Sequence, residues 1–170
     1  AGSFGLSPEE MLGMMRGAPA LGAALVAFYL GFRPIAHNVG AKMLWAVAVY
    51  GLATLVFGLS TSFLLSLGSL AVLGAADGIS VFVRNTLVQL NTPDDKRGRV
   101  SSISGLAISA SNELGEMQSG LAAAFLGPVA AVALGGVGAI VVTAIWTVLF
   151  PELKRAKTFA PQYRNKEEVS

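Results

Sequence analysis

Two long stretches without a charged side chain constrain the fold of this chain more than any other feature. Residues 43–76 and 117–151 contain no Asp, Glu, Lys or Arg over 34 and 35 positions, respectively. A membrane-spanning helix needs about 20 apolar residues, so each stretch is long enough for two spans joined by a turn. Helix-ending and helix-starting residues lie within both stretches, at residues 58–62 (GLSTS) and at Gly127-Pro128. The pattern predicts two pairs of membrane helices.

The composition disfavours several other classes of protein. Of the 170 residues, 54% are hydrophobic and 13% are charged, whereas an ordinary soluble domain carries about 25% charged residues. The chain also has no Cys and a net charge of only +2. These numbers do not suit a soluble domain, a disordered chain, a nucleic-acid-binding protein or a disulfide-stapled secreted domain. We expect the lipid bilayer to be a partner of this chain and nucleic acid not to be one.

Two further apolar segments flank these stretches and complete an all-α membrane fold of five helices. The predicted spans are residues 9–32, 41–59, 62–90, 99–126 and 129–150. Ser7-Pro8 precedes the first span and is typical of a helix N-cap followed by proline at the first helical position. Residues 1–8 are predicted to be an external loop remnant that has lost its preceding helix, and residues 151–170 a cytoplasmic tail.

The basic residues predict the orientation of this bundle. Ten of the twelve fall in segments on one side and none in the loops on the other. The ten are Arg33, Lys42, Lys96, Arg97, Arg99, Lys154, Arg155, Lys157, Arg164 and Lys166. Because Lys and Arg concentrate in cytoplasmic loops, the C-terminus is predicted to be cytoplasmic and the N-terminus external.

Five ionisable side chains lie inside the predicted spans, and two amides lie near them. The ionisable residues are Arg16, Asp77, Arg84, Glu113 and Glu116, and the amides are Gln89 and Asn112. An ionisable group costs about 2.5 to 3.5 kcal/mol at the bilayer centre, so it usually faces a protein interior or a wet cavity. We interpret the set as a substrate or proton pathway lined by the first, third and fourth helices, with the second and fifth as lipid-facing supports. Buried ion pairs that fix helix packing are the alternative.

The sequence lacks the residues of several common catalytic and metal sites. It contains no Cys, a single His at position 37, no phosphate-binding Gly-Lys-Ser/Thr loop and no Gly-x-Ser-x-Gly motif. We therefore predict no catalytic residue, no metal site and no cofactor, and a transport role rather than an enzymatic one. An intramembrane enzyme would need a catalytic pair at one depth; Asp77 and Glu113 could in principle supply it, but no motif accompanies them.

Several motifs resemble one family of membrane carriers. Residues 74–77 (GAAD), 84–90 (RNTLVQL) and 92–100 (TPDDKRGRV) resemble the end of the tenth helix and the next cytoplasmic loop in the major facilitator superfamily. The similarity is to its enterobactin-exporter-like branch, also called the transmembrane secretion effector family. Residues 111–116 (SNELGE) and 150–153 (FPEL) resemble the eleventh helix of that branch and the exit from its twelfth.

The resemblance implies that the five helices are helices eight to twelve of a twelve-helix carrier in the bacterial inner membrane. It further implies a secondary active, proton-coupled exporter of small siderophore-like or drug-like molecules, whose partners include protons and a missing N-terminal half. We expect a gate in the loop after the third helix, formed by Asp94, Asp95, Arg97 and Arg99. The alternative for this loop is a solvated charged turn. For the whole chain, the alternative is a non-transporting module, or a subunit of a split carrier.

Overall fold

The computed structural model describes residues 5, 7–33, 35 and 38–149. This part of the chain is all-α and contains no strand, as predicted. Its five helices are α1 (Pro8–Phe32), α2 (Val39–Leu59), α3 (Phe63–Leu90), α4 (Arg97–Leu126) and α5 (Pro128–Leu149). The predicted tail at 151–170, His37, and all but residues 5, 7 and 8 of the predicted external loop lie outside the described residues.

Local chemistry explains where the helices begin and end. At the start of α1, the Ser7 hydroxyl accepts a hydrogen bond from the Glu10 backbone N–H (3.2 Å), and the Glu10 carboxylate accepts one from the Ser7 N–H (2.7 Å). This reciprocal capping box confirms the predicted N-cap. Gly127 alone joins α4 to α5, and its φ of 83° suits glycine, which has no Cβ to clash. Pro128 then occupies the first position of α5, where a missing N–H costs no helical bond.

The spatial order of the helices differs from their order in the chain. Helix α3 packs against both α1 and α2, α2 also packs against α5, and α5 packs against α4. Within the described residues, α1 and α2 do not pack directly on each other, and α4 meets α3 over a short length. Helix α2 therefore lies between two other helices, and its role as a lipid-facing support stays a prediction.

Glycine residues allow the closest contacts between helices. Gly22 of α1 lies against the backbone of Ala71 on α3, and Gly74 of α3 lies against the backbone of Pro19 on α1. A Cβ added at Gly136 of α5 would lie 2.9 Å from the Gly51 carbonyl oxygen of α2. Small residues at such interfaces let membrane helices gain dispersion energy by close backbone approach.

A small apolar core places several helix ends together. Leu30 near the end of α1, Ile35, Val39 at the start of α2, and Val83 in the second half of α3 form one buried cluster. Val39 and Val83 are completely buried. The end of α1, the start of α2 and the later part of α3 therefore lie at the same end of the bundle, which we call the basic end because Arg33 and Lys42 lie there.

Four of the five helices are long and apolar enough to cross a membrane: α1, α2, α3 and α5. Helix α4 has 30 residues and is long enough, but Ser, Asn, Gln and Glu side chains make it much less apolar. None of its residues is buried. Helix α4 is therefore the most polar helix of the bundle.

Candidate functional site

A polar cleft lies between α3 and α4, and we call it the α3–α4 cleft. Its first part has a volume of about 520 Å³ and is lined on α3 by Asp77, Arg84 and Asn85. The facing side of α4 contributes Ser111 and Asn112. Asp77 and Arg84 are seven residues apart, which places them on the same face of α3 about 10 Å apart along its axis. Three of the predicted pathway residues, Asp77, Arg84 and Asn112, thus share one cleft.

The cleft continues toward the basic end of the bundle. This second part, of about 430 Å³, shares Arg84 and Asn85 with the first and adds Gln89 from α3. Helix α4 contributes the hydroxyl-bearing residues Ser101 and Ser104. The predicted pathway residue Gln89 therefore belongs to the same cleft. The serines were missed by sequence reasoning, although the spacing of Ser101, Ser104, Ser111 and Asn112 follows one face of a helix.

The Asp77 carboxylate also lies near α2. Tyr50, a half-buried residue near the middle of α2, lies within electrostatic range of the Asp77 carboxylate. In the described part of the chain, neither Asp77 nor Arg84 forms an ion pair within 4.0 Å. The two charges face the cleft without neutralising each other at contact distance. Sequence reasoning missed Tyr50 because α2 carries no charge in its interior and was taken as a support.

Three predicted pathway residues lie outside the cleft. Glu113 and Glu116 are exposed on α4, and neither lines it. Glu116 follows Asn112 by one helical turn and continues the same side of α4, whereas Glu113 is rotated by about 100° from Asn112, away from the cleft. Arg16 is exposed on α1, which does not pack against α4 in the described structure.

The predicted gate loop forms one ion pair, and it is local. Arg97 Nη2 lies 2.6 Å from Asp94 Oδ1, across three residues at the start of α4. The Asp94 side chain is 87% exposed and the Arg97 side chain 46%, and Asp95 and Arg99 make no ion pair within the part of the chain that the structure describes. The pair connects the turn to the helix that follows it and does not link separate helices in this conformation.

These features define a helical membrane protein with several spans and a polar cleft between two of its helices. A family model described as Major Facilitator Superfamily matches residues 1–168. The chain belongs to this family of membrane transporters, which confirms the resemblance inferred from its motifs.

Curated relatives lie within the exporter branch. The chain is 32% identical over 152 residues to the protein named Enterobactin exporter EntS from Citrobacter koseri, an alignment that covers 88% of this chain and 36% of the relative. It is 28% identical to the protein of that name from Escherichia coli O1:K1, with coverage of 89% and 36%. The corresponding protein of Shigella boydii is 27% identical, with coverage of 95% and 39%. The chain thus spans little more than a third of the length of these relatives. No solved structure matches it.

Proposed function

We propose that this chain is the C-terminal portion of a secondary active transporter, a proton-coupled exporter of small amphiphilic molecules that works by alternating access. The substrate class is siderophore-like or drug-like. The relatives named as enterobactin exporters support this class, and membership in the major facilitator superfamily supports the transport mode. The remaining helices of the carrier would complete the cavity around the α3–α4 cleft.

The observation that carries this proposal is the exposure of α4. Glu113, Glu116 and Asn112 lie within this helix and are exposed in the five-helix bundle. Carboxylates at membrane depth face protein or water rather than lipid, because their transfer into hydrocarbon is costly. A membrane span at α4 would therefore require a wet cavity or additional helices beside it. A second six-helix half would supply both.

The groups that line the α3–α4 cleft support such a transport role. Arg84 provides a fixed positive charge for an anionic group on the substrate, with Asn85 and Asn112 as hydrogen-bonding neighbours. Asp77 provides a carboxylate that exchanges a proton when water reaches it from one side of the membrane or the other. Glu116 would continue this polar route along α4, beyond Asn112.

The arrangement of charges supports a cytoplasmic basic end in the bacterial inner membrane. Arg33 and Lys42 lie on either side of the connection between α1 and α2. The apolar core holds this connection beside the later part of α3. Lys96 ends the turn after α3, and Arg97 and Arg99 lie in the first turn of α4. Glu9 and Glu10 lie at the opposite end of α1. This distribution follows the positive-inside rule and supports an external position for the start of α1.

Transport by the intact carrier tests the proposal. Inside-out membrane vesicles, from a strain lacking its own siderophore exporters, should take up a labelled catecholate siderophore when the vesicle interior is acidified. Arg84→Gln should reduce uptake of this anionic siderophore about tenfold or more, and uptake of an uncharged substrate of similar size much less. Ser80→Ala, on α3 but outside the residues that line the cleft, is the matched control.

The outcomes separate the parts of the proposal. Failure of the wild-type carrier to transport either substrate would contradict the exporter function. Transport of the uncharged substrate alone would contradict the siderophore class. An equal effect of Arg84→Gln on both substrates would contradict the role given to Arg84.

A split carrier is the second candidate, because the exposure of α4 also suits packing against a separately made N-terminal half. In that case, the chain alone would show no transport, and expression together with a separate N-terminal half would restore it. Restoration by a covalently joined half alone would contradict this second candidate.

A further inference from the structure

A second cavity lies on the side of α3 that faces α1 and α2. Because α1 and α2 both pack on α3 but not on each other, they leave a groove between them with a volume of about 680 Å³. Val72, Ala76 and Ile79 of α3 form its floor. We call it the α1–α2 groove, and it shares no lining residue with the α3–α4 cleft.

The walls of this groove are apolar and aromatic. Val26 and Leu30 line it from α1, and Ala46 and Val49 from α2. Two amphipathic aromatic residues, Tyr29 and Trp45, stand on opposite walls and are 59% and 73% exposed. Tyr and Trp favour the boundary between hydrocarbon and head groups, because the ring contacts the hydrocarbon while its O–H or N–H is hydrated.

Two cations lie at one end of the groove. Arg33, which caps α1, and Lys42, in the first turn of α2, are both lining residues. Both are exposed, and neither forms an ion pair with a carboxylate among the described residues. From Val26 to Arg33, the groove runs about 10 Å along α1 at the helical rise. That length covers most of one leaflet, because the hydrocarbon layer is about 30 Å thick in total.

We propose that the α1–α2 groove binds an anionic phospholipid of the bilayer. The phosphate group lies between Arg33 and Lys42, Trp45 and Tyr29 stand at the head-group boundary, and an acyl chain lies on the floor formed by α3. The complementarity is direct, since two exposed cations adjoin an apolar groove, and an anionic phospholipid presents a negative head group joined to apolar chains. Basic pockets between membrane helices are a common form of anionic lipid site.

Other ligands would match only one of the two features of this surface, its cations or its apolar groove. A free phosphate ion would pair with the cations and leave the apolar groove uncovered. An apolar helix from elsewhere in the carrier would cover the groove and leave Arg33 and Lys42 without a counter-charge. An anionic phospholipid would pair with the cations and also cover the apolar groove. The proposal rests on the membrane location of the helices and not on transport, so its failure would leave the proposed function intact.

Tryptophan quenching tests the proposal, because the chain has two tryptophans and only Trp45 lines the groove. The intact carrier, with any tryptophan outside these 170 residues replaced by Phe, is reconstituted into phosphatidylcholine vesicles that contain a fixed fraction of dibrominated phosphatidylglycerol or dibrominated phosphatidylcholine with the same acyl chains. Trp146→Phe leaves Trp45 as the reporter, and Trp45→Phe leaves Trp146 on α5. Far-UV circular dichroism checks that every variant keeps its helical content.

We expect Trp45 to be quenched more strongly by brominated phosphatidylglycerol than by brominated phosphatidylcholine, and Trp146 equally by both. Each cation should contribute about fivefold to the relative association of the anionic lipid. In the Trp146→Phe background, Arg33→Gln with Lys42→Gln should abolish the preference. Lys96→Gln, which removes a charge at the turn after α3 but outside the groove, should keep it.

Four results would overturn the proposal. The first is equal quenching of Trp45 by the two lipids, and the second is a preference that survives Arg33→Gln with Lys42→Gln. The third is an equal loss of preference in Lys96→Gln, which would indicate general attraction to a charged surface. The fourth is protection of Trp45 from both brominated lipids while Trp146 is quenched, which would show that protein fills the groove.

Discussion

Asp77 and Arg84 line the same cleft on one face of α3, two helical turns apart, and do not form an ion pair. A buried pair that merely fixed helix packing would hold its charges in contact, because an uncompensated charge at membrane depth is costly. Their separation instead leaves each charge available to another group. The relationship therefore favours a pathway over a structural ion pair.

The contact between α2 and α5 should tolerate no side chain at Gly136. Gly136→Val would place atoms against the backbone of Gly51 and Leu55 and should lower the free energy of unfolding by about 1 to 3 kcal/mol, the usual effect of overpacking. Unfolding in mixed micelles with increasing SDS measures this change. Gly138→Val, two residues away with open space around it, should change stability by less than about 0.5 kcal/mol. Equal effects of the two variants would rule out the packing described.

The ion pair between Asp94 and Arg97 should contribute little to stability. Both groups are exposed and screened by solvent, so Asp94→Asn should lower the free energy of unfolding by less than about 1 kcal/mol. The same SDS titration, at low and high salt, measures this effect. A larger loss that disappears at high salt would show that Asp94 links helices in a way that this conformation does not contain.

The helices were predictable because their signals are local. The Ser7-Pro8 cap and the Gly127-Pro128 break mark helix ends through hydrogen bonds and backbone angles of neighbouring residues. The packing order was not predictable, because Gly17 and Gly136 look alike in sequence. Gly17 faces open space, whereas Gly136 touches the backbone of another helix.

The part of the candidate site that comes from a single helix was predictable from the sequence. Asp77 and Arg84 share a face by their spacing alone, so their placement in one cleft follows from helical geometry. The partners across the cleft depend on which helices meet and on their rotation about their axes. For this reason Glu113 was expected in the pathway and lies outside the cleft.

The central claim is that Asp77 couples transport to protons, and proteoliposomes containing the intact carrier test it most directly. An imposed pH gradient should drive the wild-type carrier to accumulate a labelled catecholate siderophore against its concentration gradient. Asp77→Asn should abolish this accumulation while keeping the exchange of labelled for unlabelled siderophore without a gradient. Accumulation by Asp77→Asn at the wild-type rate and with the same pH dependence would contradict the account.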